Sequence, residues 1–292
     1  MPELPEVETI ARGLHKRVAG DCIDEVWLSG KSPTFKSKPA EIAATLPGTC
    51  IAAVRRMGKH IVFELVPNNG KRKLARVTKS RSKKVAQVHS LPSHPQWIVH
   101  LGMTGRMVVC DPADETVKHT HAVVALTSGR ELRFIDPRRF GRLSVVSAGN
   151  FEAGGVEPLE VGLERFVELF RGRNTPIKSA LLNQKLLRGV GNIYADESLF
   201  RAGIRPRRRA STLSREQLER LYVSVQEVLK EAIALGGSSV SDYVDADGEE
   251  GFFQLKHRVY GREGERCLRC KTPVKRVVII GRSSHYCPTC QK

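Results

Sequence analysis

No run in this sequence approaches the ~20 consecutive apolar residues that a membrane-spanning helix needs. The first residues, MPELPEVETI, carry acids where a secretory leader requires a basic stretch and then an apolar core. The chain is therefore expected to be cytosolic, with no membrane partner. No internal repeat is visible, so nothing points to a repeat architecture. Acid is in short supply: 31 Asp and Glu stand against 48 Lys and Arg, a net charge of +17. That imbalance says nothing about fold, but it predicts attraction to a polyanion, of which nucleic acid is the commonest. Cysteine is sparse until the last 26 residues. Before them only Cys22, Cys50 and Cys110 occur, scattered among apolar residues, and each reads as a small buried hydrophobe rather than a functional thiol.

The 292 residues suggest two domains, and a 40% hydrophobic content is enough to fill real cores. Val7, Ile10, Ala11, Leu14 and Val18 recur at helical spacing. Pro5 suits the first turn of that helix, Glu6 and Glu8 suit its positive end, and Gly20 ends it. From about residue 22 to 148 the pattern changes to short β-like runs: CIDEVWL, CIAAVRRM, HIVFELV, QWIVHLGM, RMVVC, HAVVALT, ELRFID and RLSVV. Strands at this spacing suggest a sandwich or barrel. A segment at 67–95 interrupts them, with eight Lys or Arg between 71 and 84 and no acid there. It reads as a solvated loop that could add a DNA-backbone contact. A Gly-rich stretch near 150 opens a region of helical patterns: LERFVELFRG, TPIKSALLNQKLL, NIYADESLFRAG and SREQLERLYVSVQEVLKEAIALGG. Arg205 to Arg209 (RPRRR) read as a further basic, solvated face. A Gly/Ser/Asp-rich stretch at 236–251 then leads to the C-terminal cysteines.

Cys267 and Cys270 form one Cys-x-x-Cys pair, and Cys287 and Cys290 form another after 16 intervening residues. This spacing fits a tetrahedral zinc site. Four thiolates leave no open coordination position, so one structural Zn2+ is expected. The sequence between the pairs is long enough for a hairpin. It carries Lys271, Lys275, Arg276 and Arg282, which suits a nucleic-acid finger.

Four elements together resemble bacterial formamidopyrimidine-DNA glycosylases. They are MPELPEVET at the start, DPRRFGRL at 136–143, LLRGVGNIYADESLFRAGIRP in the helical region and the terminal four-cysteine finger. The match runs the length of the chain in the family's order. The resemblance implies an α+β, two-lobed fold: an N-terminal helix plus an antiparallel β-sandwich, and a C-terminal helical domain with a helix–two-turn–helix motif and a zinc-finger β-hairpin, with DNA between the lobes. The corresponding division is 1–148, 149–257 and 258–292. The implied partner is double-stranded DNA containing oxidised purines. The implied activity is that of a bifunctional DNA glycosylase and AP lyase. It excises 8-oxoguanine and formamidopyrimidines through a Schiff base and cleaves the strand by β,δ-elimination.

The residues can be set against that chemistry. By resemblance, Pro2 becomes the N-terminus once the initiator Met is removed, and its amine attacks the anomeric carbon. An α-amino group is less basic than a lysine, so more of it is neutral and nucleophilic at pH 7. Glu3 is implied as the general acid that protonates the sugar ring oxygen, with Glu6 orienting that end. Lys59, on a strand facing the active site, would contact phosphate and assist β-elimination. Arg282 would grip the phosphates and serve δ-elimination, a task that suits a permanently charged, bidentate guanidinium. The base must be extruded from the duplex. Met103, Arg138 and Phe140, each near turn-forming Gly or Pro, would fill the hole as an apolar wedge and a guanidinium. His119 and Arg173 fall on further DNA-contact positions. Asn192 reads as a helix N-cap beside glycines that permit phosphate approach.

Two departures from the family's pattern stand out. The 67–95 segment is longer than usual, and the loop at 236–254, expected to set the preferred oxidised base, varies. An endonuclease VIII-like enzyme for oxidised pyrimidines would resemble PEGPE at the start, where this chain has PELPE. A non-enzymatic zinc-finger DNA-binding protein would explain the charge and the finger but not Pro2 and Glu3. A cytoplasmic, nucleoid-associated monomer is expected.

Overall fold

The fold was obtained as a computed structural model. The structure describes residues 1–31, 33–68, 94–147, 151–239 and 251–292. Most of the basic 67–95 segment and the centre of the 236–254 loop lie outside the described residues. The chain divides into two compact units. One comprises Met1, residues 11–55 and residues 60–152. The other comprises residues 2–10, 56–59 and 153–292. Helix α1 (Leu4–Val18) therefore contributes its first turns to the second unit and its remainder to the first.

The first unit is built from eight strands, and each of the eight apolar runs forms one. They are β1 (Ile23–Leu28), β2 (Thr49–Met57), β3 (His60–Pro67), β4 (Gln96–His100), β5 (Arg106–Cys110), β6 (Thr120–Leu126), β7 (Glu131–Ile135) and β8 (Arg142–Val146). They make two four-stranded sheets, ordered β1-β6-β7-β5 and β2-β3-β4-β8. The registered pairs are antiparallel. Inward side chains form the core, including Phe63 stacked on Trp97 with ring centroids 4.7 Å apart. One short helix, α2 (Pro39–Thr45), interrupts the strands. Its Pro at the helix start and buried Ile42 mark it locally, but it is too short to show a helical period.

Cys22 and Cys50 correct the reading of isolated buried thiols. They face each other across an antiparallel bridge, with Cα atoms 3.8 Å apart, and form a disulfide. Sequence alone could not pair them, because the strands bring together residues separated by 28 positions. Cys110 remains free, and burial raises its thiol pKa.

The second unit packs α3 (Leu163–Phe170), α4 (Ile177–Leu181), α5 (Asn192–Ala202) and α6 (Arg215–Ala234) around Phe166, Phe170, Tyr194 and Leu221. Ser214 caps α6 in a reciprocal capping box with Gln217. Gly203, at φ +71°, closes α5 in the left-handed conformation that glycine adopts without penalty. The finger hairpin, β9 (Lys275–Ile279) and β10 (Arg282–Tyr286), joins this unit through α5. Inside it Lys178 is fully buried. Its Nζ lies 2.6 Å from Asp196 Oδ1 and donates at 2.6 Å to the Ser283 carbonyl. The backbone N–H of His285 donates to Asp196 Oδ2 at 2.9 Å. The pair thus ties α4 and α5 to β10.

The basic run at 205–209 is only partly a solvated face. Arg205 donates to the carbonyls of Gln291 and Pro288, and Arg207 to that of Val278, so both brace the finger. A buried charge that loses its partner is costly. Lys178→Met should therefore lower unfolding stability by about 3–5 kcal/mol, read as a shift of the urea midpoint followed by far-ultraviolet circular dichroism.

Candidate active site

The second unit gathers the candidate catalytic side chains, and Glu3 is at their centre. It stands at the start of α1, where the Leu4 N–H donates to the Gly189 carbonyl at 3.0 Å. Its carboxylate reaches the first turn of α5, accepting from the N–H of Ile193 at 3.1 Å and of Tyr194 at 3.5 Å. The helix N-cap is Gly191, not Asn192, and no side chain within the helix caps it. Glu3 does so from elsewhere in the chain. Gly191 is what lets it approach: a Cβ there would lie 2.2 Å from the Glu3 carboxyl carbon. Asn192 occupies the first helical position instead, and its Nδ2 lies 3.4 Å from Ser283 Oγ, next to Arg282.

Glu3 is only 4% exposed. Burial pushes its pKa up to about 7, against the opposing pull of Lys59 and of the two backbone N–H groups, and with a contribution from Glu6. Glu6 is buried too, and burial raises its pKa. Its carboxylate accepts from the Glu3 N–H at 2.7 Å, the Ser238 N–H at 2.8 Å and the Tyr194 hydroxyl.

Lys59 is not on a strand. It sits in the two-residue turn Gly58–Lys59 between β2 and β3, where it is nearly buried. Burial lowers its pKa, while Glu3 and Glu6 raise it and Arg282 lowers it further. Lys59 thus lies within electrostatic reach of Glu3, Glu6 and Arg282. The turn is held by Glu157, which accepts from the Gly58 N–H at 2.7 Å and from the guanidiniums of Arg56 and Arg188. Arg56 also donates to Glu8 at 2.8 Å.

The four C-terminal cysteines converge. Their sulfurs lie within 4.8 Å of one another, with Cys267–Cys290 at 3.9 Å and Cys270–Cys287 at 3.4 Å. Sulfurs around a tetrahedral zinc with bonds of about 2.3 Å stand about 3.8 Å apart, so the set fits Zn2+. With four thiolates and no open position, that zinc is structural.

In the first unit the turn tips form a group of their own. Met103 and Phe140 are exposed, at 37% and 45%. The Arg138 guanidinium lies 4.6 Å from the Phe140 ring centroid. The Met103 turn rests on the Phe140 backbone: a Cβ on Gly102 would lie 2.5 Å from the Phe140 carbonyl carbon. Buried Asp136 organises them. Its Oδ1 accepts from Thr104 Oγ1 at 2.5 Å and from the Arg138 N–H at 3.3 Å, and its Oδ2 accepts from the Gly141 N–H at 2.7 Å. Its own N–H donates to the carbonyl of His119, which holds a positive φ of 71°. The turns that carry Met103, Arg138 and Phe140 therefore hang on one carboxylate, and His119 is tied to the backbone of the same residue. The expectation for Arg173 acquires a local competitor. Its Nε donates to the Leu169 carbonyl at 2.5 Å and closes the end of α3.

Three family descriptions match the chain in order. The formamidopyrimidine-DNA glycosylase N-terminal domain covers residues 1–143, the H2TH domain of the same enzyme covers 155–244, and the zinc finger found in FPG and IleRS covers 264–292. The chain belongs to the formamidopyrimidine-DNA glycosylase family. A formamidopyrimidine-DNA glycosylase of Solibacter usitatus is 43% identical over 294 residues, covering all of both chains. The wild-type Lactococcus lactis Fpg bound to DNA containing N7-benzyl-Fapy-dG superposes with a TM-score of 0.84 at 30% identity, over the whole of both chains. MutM in complex with DNA containing carbocyclic 8-oxo-G gives the same score, identity and coverage.

Within this glycosylase family member, sequence reasoning missed Glu157 and Asp136 as parts of the site, and read the glycines beside Asn192, Gly191 among them, as admitting phosphate where Gly191 admits the Glu3 carboxyl. Asp136 carried a signal: an Asp before Pro, five residues ahead of a Gly, is a side chain placed to bond its own loop. Glu157 acts through contacts made by distant parts of the chain and carried none, and nothing local to Gly191 points to Glu3.

Two outcomes follow from this geometry. A carboxyl raised to about 7 when folded stays protonated while the unfolded chain ionises near 4.5. The stability it contributes is complete below about pH 4.5 and is lost as pH rises through about 7. Glu3→Gln keeps an oxygen for the α5 N–H groups without the buried charge. At pH 8 it should raise unfolding stability on the order of 1–3 kcal/mol, measured by chemical denaturation. Stripping zinc with a chelator should speed amide hydrogen exchange in β9 and β10, and re-adding zinc should restore it; unchanged exchange would contradict a structural metal.

Proposed function

We propose that this chain is a bifunctional DNA glycosylase and AP lyase of base excision repair, acting on oxidised purines in duplex DNA. One observation carries the reading. A buried carboxyl, held at a helix N-terminus beside a buried lysine, has its pKa brought to about 7, and it is adjacent in sequence to Pro2. A general acid works best with a pKa near the operating pH. The family's solved complexes contain DNA with a formamidopyrimidine or an 8-oxoguanine analogue, and the excess of positive charge suits such a polyanion.

In this reading, Met1 is removed and the Pro2 nitrogen becomes a free secondary amine. It attacks C1′ of the damaged nucleotide, and the base departs with the glycosidic bond's electron pair. The protonated Glu3 carboxyl gives its proton to the ring oxygen as the C1′–O4′ bond breaks. The amine's own proton passes to the departing base, and the nitrogen lone pair closes an iminium between Pro2 and C1′. Glu6 is a positioning residue, since it holds the Glu3 backbone. Lys59 and Arg282 bind the phosphates and serve the successive β and δ eliminations. Met103, Arg138 and Phe140 fill the space left by the extruded nucleotide, and His119, Arg173 and Asn192 contact the strand. Cys267, Cys270, Cys287 and Cys290 hold the zinc. We assign catalysis to residues 1–148, the helical element to 149–257 and the finger to 258–292. The enzyme acts as a monomer in the cytoplasm, at the nucleoid.

Sodium borohydride should trap a covalent complex between the Met-processed protein and a duplex containing 8-oxoguanine. The absence of a trapped band would sink the mechanism. Pro2→Gly should keep duplex affinity and lose most trapping. The single-turnover excision rate should fall as pH rises through about 7, because Glu3 then loses its proton. Lys59→Met removes the charge that lowers the Glu3 pKa, so it should move this alkaline limb to higher pH; an unmoved limb would detach the limb from Glu3.

A further inference from the structure

A cleft in the second unit has no part in this chemistry. Phe200 and Arg201 of α5, Glu231 of α6, Arg258, and Leu268 and Arg269 of the first Cys-x-x-Cys turn line a cavity of about 420 Å³. Glu3 caps the opposite end of α5. Eleven residues at 1.5 Å each set the cleft roughly 15 Å from the proposed acid.

The cleft is preformed. Phe200 is buried, packed into the finger core with Val259, Cys267, Val274 and Cys287. Leu268 is 49% exposed beside it, so the cleft has an apolar floor. Glu197 is buried and accepts the N–H groups of Arg258, Val259 and Tyr260 at 2.9–3.0 Å, which fixes the backbone that carries Arg258. The zinc fixes the turn that carries Leu268 and Arg269. Above the floor stand three guanidiniums and one carboxylate. Arg201 is ion-paired with Glu231. The Arg269 guanidinium lies 5.1 Å from the Phe200 ring centroid. Among the described residues, neither Arg258 nor Arg269 meets a carboxylate, and both are exposed.

We propose that this cleft docks an acidic peptide segment of a protein partner, with one apolar side chain placed against Phe200 and Leu268 and its carboxylates on Arg258 and Arg269. The charge is complementary, since bidentate carboxylate binding suits two unpaired guanidiniums. The apolar floor would be wasted on an inorganic anion. A nucleic-acid backbone fits less well than a peptide. Beyond Arg201 a second cleft continues along α6, lined by Glu216, Glu219, Arg220 and the half-exposed Val223. Its carboxylates repel a nucleic-acid backbone, which carries a charge at every step, whereas a peptide can confine its carboxylates to Arg258 and Arg269 and run uncharged or basic residues along this second cleft.

The probe is a fluorescein-labelled peptide of four aspartates and a C-terminal phenylalanine, titrated with the full-length, zinc-loaded protein and read by anisotropy. Saturable binding is expected, weakened about tenfold or more, which is at least about 1.4 kcal/mol, by the double substitution R258E/R269E and by Leu268→Asp. Replacing the aspartates by asparagines, or the phenylalanine by serine, should weaken it similarly. The R258E/R269E protein should keep its zinc content and its borohydride-trapping yield, which shows that it is folded. The peptide should also bind the protein already trapped on DNA. Absence of saturable binding up to about 1 mM would overturn the proposal, as would equal binding of the asparagine peptide or indifference to both protein variants. Competition by duplex DNA, with a matching loss of duplex affinity in R258E/R269E, would give the cleft to nucleic acid instead.

Discussion

Much of the second unit turns on a carboxylate placed where a helix would ordinarily find its own cap. The first N–H groups of α5 have no partner within the helix, and Glu3 supplies one from the start of the chain. A carboxylate at a helix N-terminus is normally stabilised in its charged form. Here burial outweighs that preference and holds the carboxyl near pH 7. Two opposing effects leave the group able to give up a proton near neutral pH, as the proposed general acid must. The arrangement depends on the missing side chain at Gly191, because any Cβ would collide with the carboxyl group. The same contact orders the beginning of the chain, where disorder is otherwise the rule.

Glu6 extends this order to a second region. It receives the N–H of Glu3, the hydroxyl of Tyr194 and the N–H of Ser238. Ser238 pairs with Phe252 across an isolated bridge, and its Oγ lies 3.1 Å from Nε2 of His257. Burial depresses the His257 pKa to about 4, so this imidazole is neutral at pH 7 and adds no charge beside Glu6. Gly237 and Gly251 permit the close approach: a Cβ on Gly237 would lie 2.9 Å from Glu6 Oε1, and one on Gly251 would lie 2.4 Å from the Gly237 carbonyl. The two ends of the segment expected to sense the damaged base are therefore clamped to the carboxylate that positions the acid.

What the sequence disclosed divides along physical lines. Short apolar runs disclosed all eight strands, because a strand buried on both faces, as β4 is along most of its length, writes its burial into a continuous short run. Cysteine spacing disclosed the zinc site, because ligands three positions apart in a tight turn are local. The Pro2–Glu3 pair was visible only through its resemblance to a family motif; composition alone would make it an ordinary helix start. Glu157, the Cys22–Cys50 bridge and the partner of Gly191 stayed hidden, since each contact spans many residues of chain. Asn192 illustrates the limit of local rules. Its type and position fit an N-cap, yet the cap shifts by one residue because an outside carboxylate already satisfies those N–H groups. Lys59 shows the same from the other side. Its neighbours read as strand, but Gly58 at φ +59° turns the chain, and buried Glu157 holds that turn with the lysine within electrostatic reach of Glu3.

The finger and Glu3, the proposed acid, share α5 as a common beam. At one end of the helix, Glu3 engages the first turn; at the other, Phe200 is buried among finger residues, including two of the zinc ligands. Along its middle, Asp196 joins buried Lys178 to the backbone of β10, and Glu197 gathers the N–H groups of residues 258–260. Both carboxylates follow directly in sequence from the turn that Glu3 caps, and both point into the finger. Arg282, at the start of β10, is thereby held against the helix that carries the acid's hydrogen-bond donors. The zinc need not approach the reacting atoms to matter: it stiffens the hairpin, and the hairpin sets the position of a guanidinium. A buried ion pair is a poor source of stability, because desolvation offsets most of the attraction. Its use here is geometric, since Lys178 and Asp196 can satisfy each other and the Ser283 carbonyl in only one register of β10.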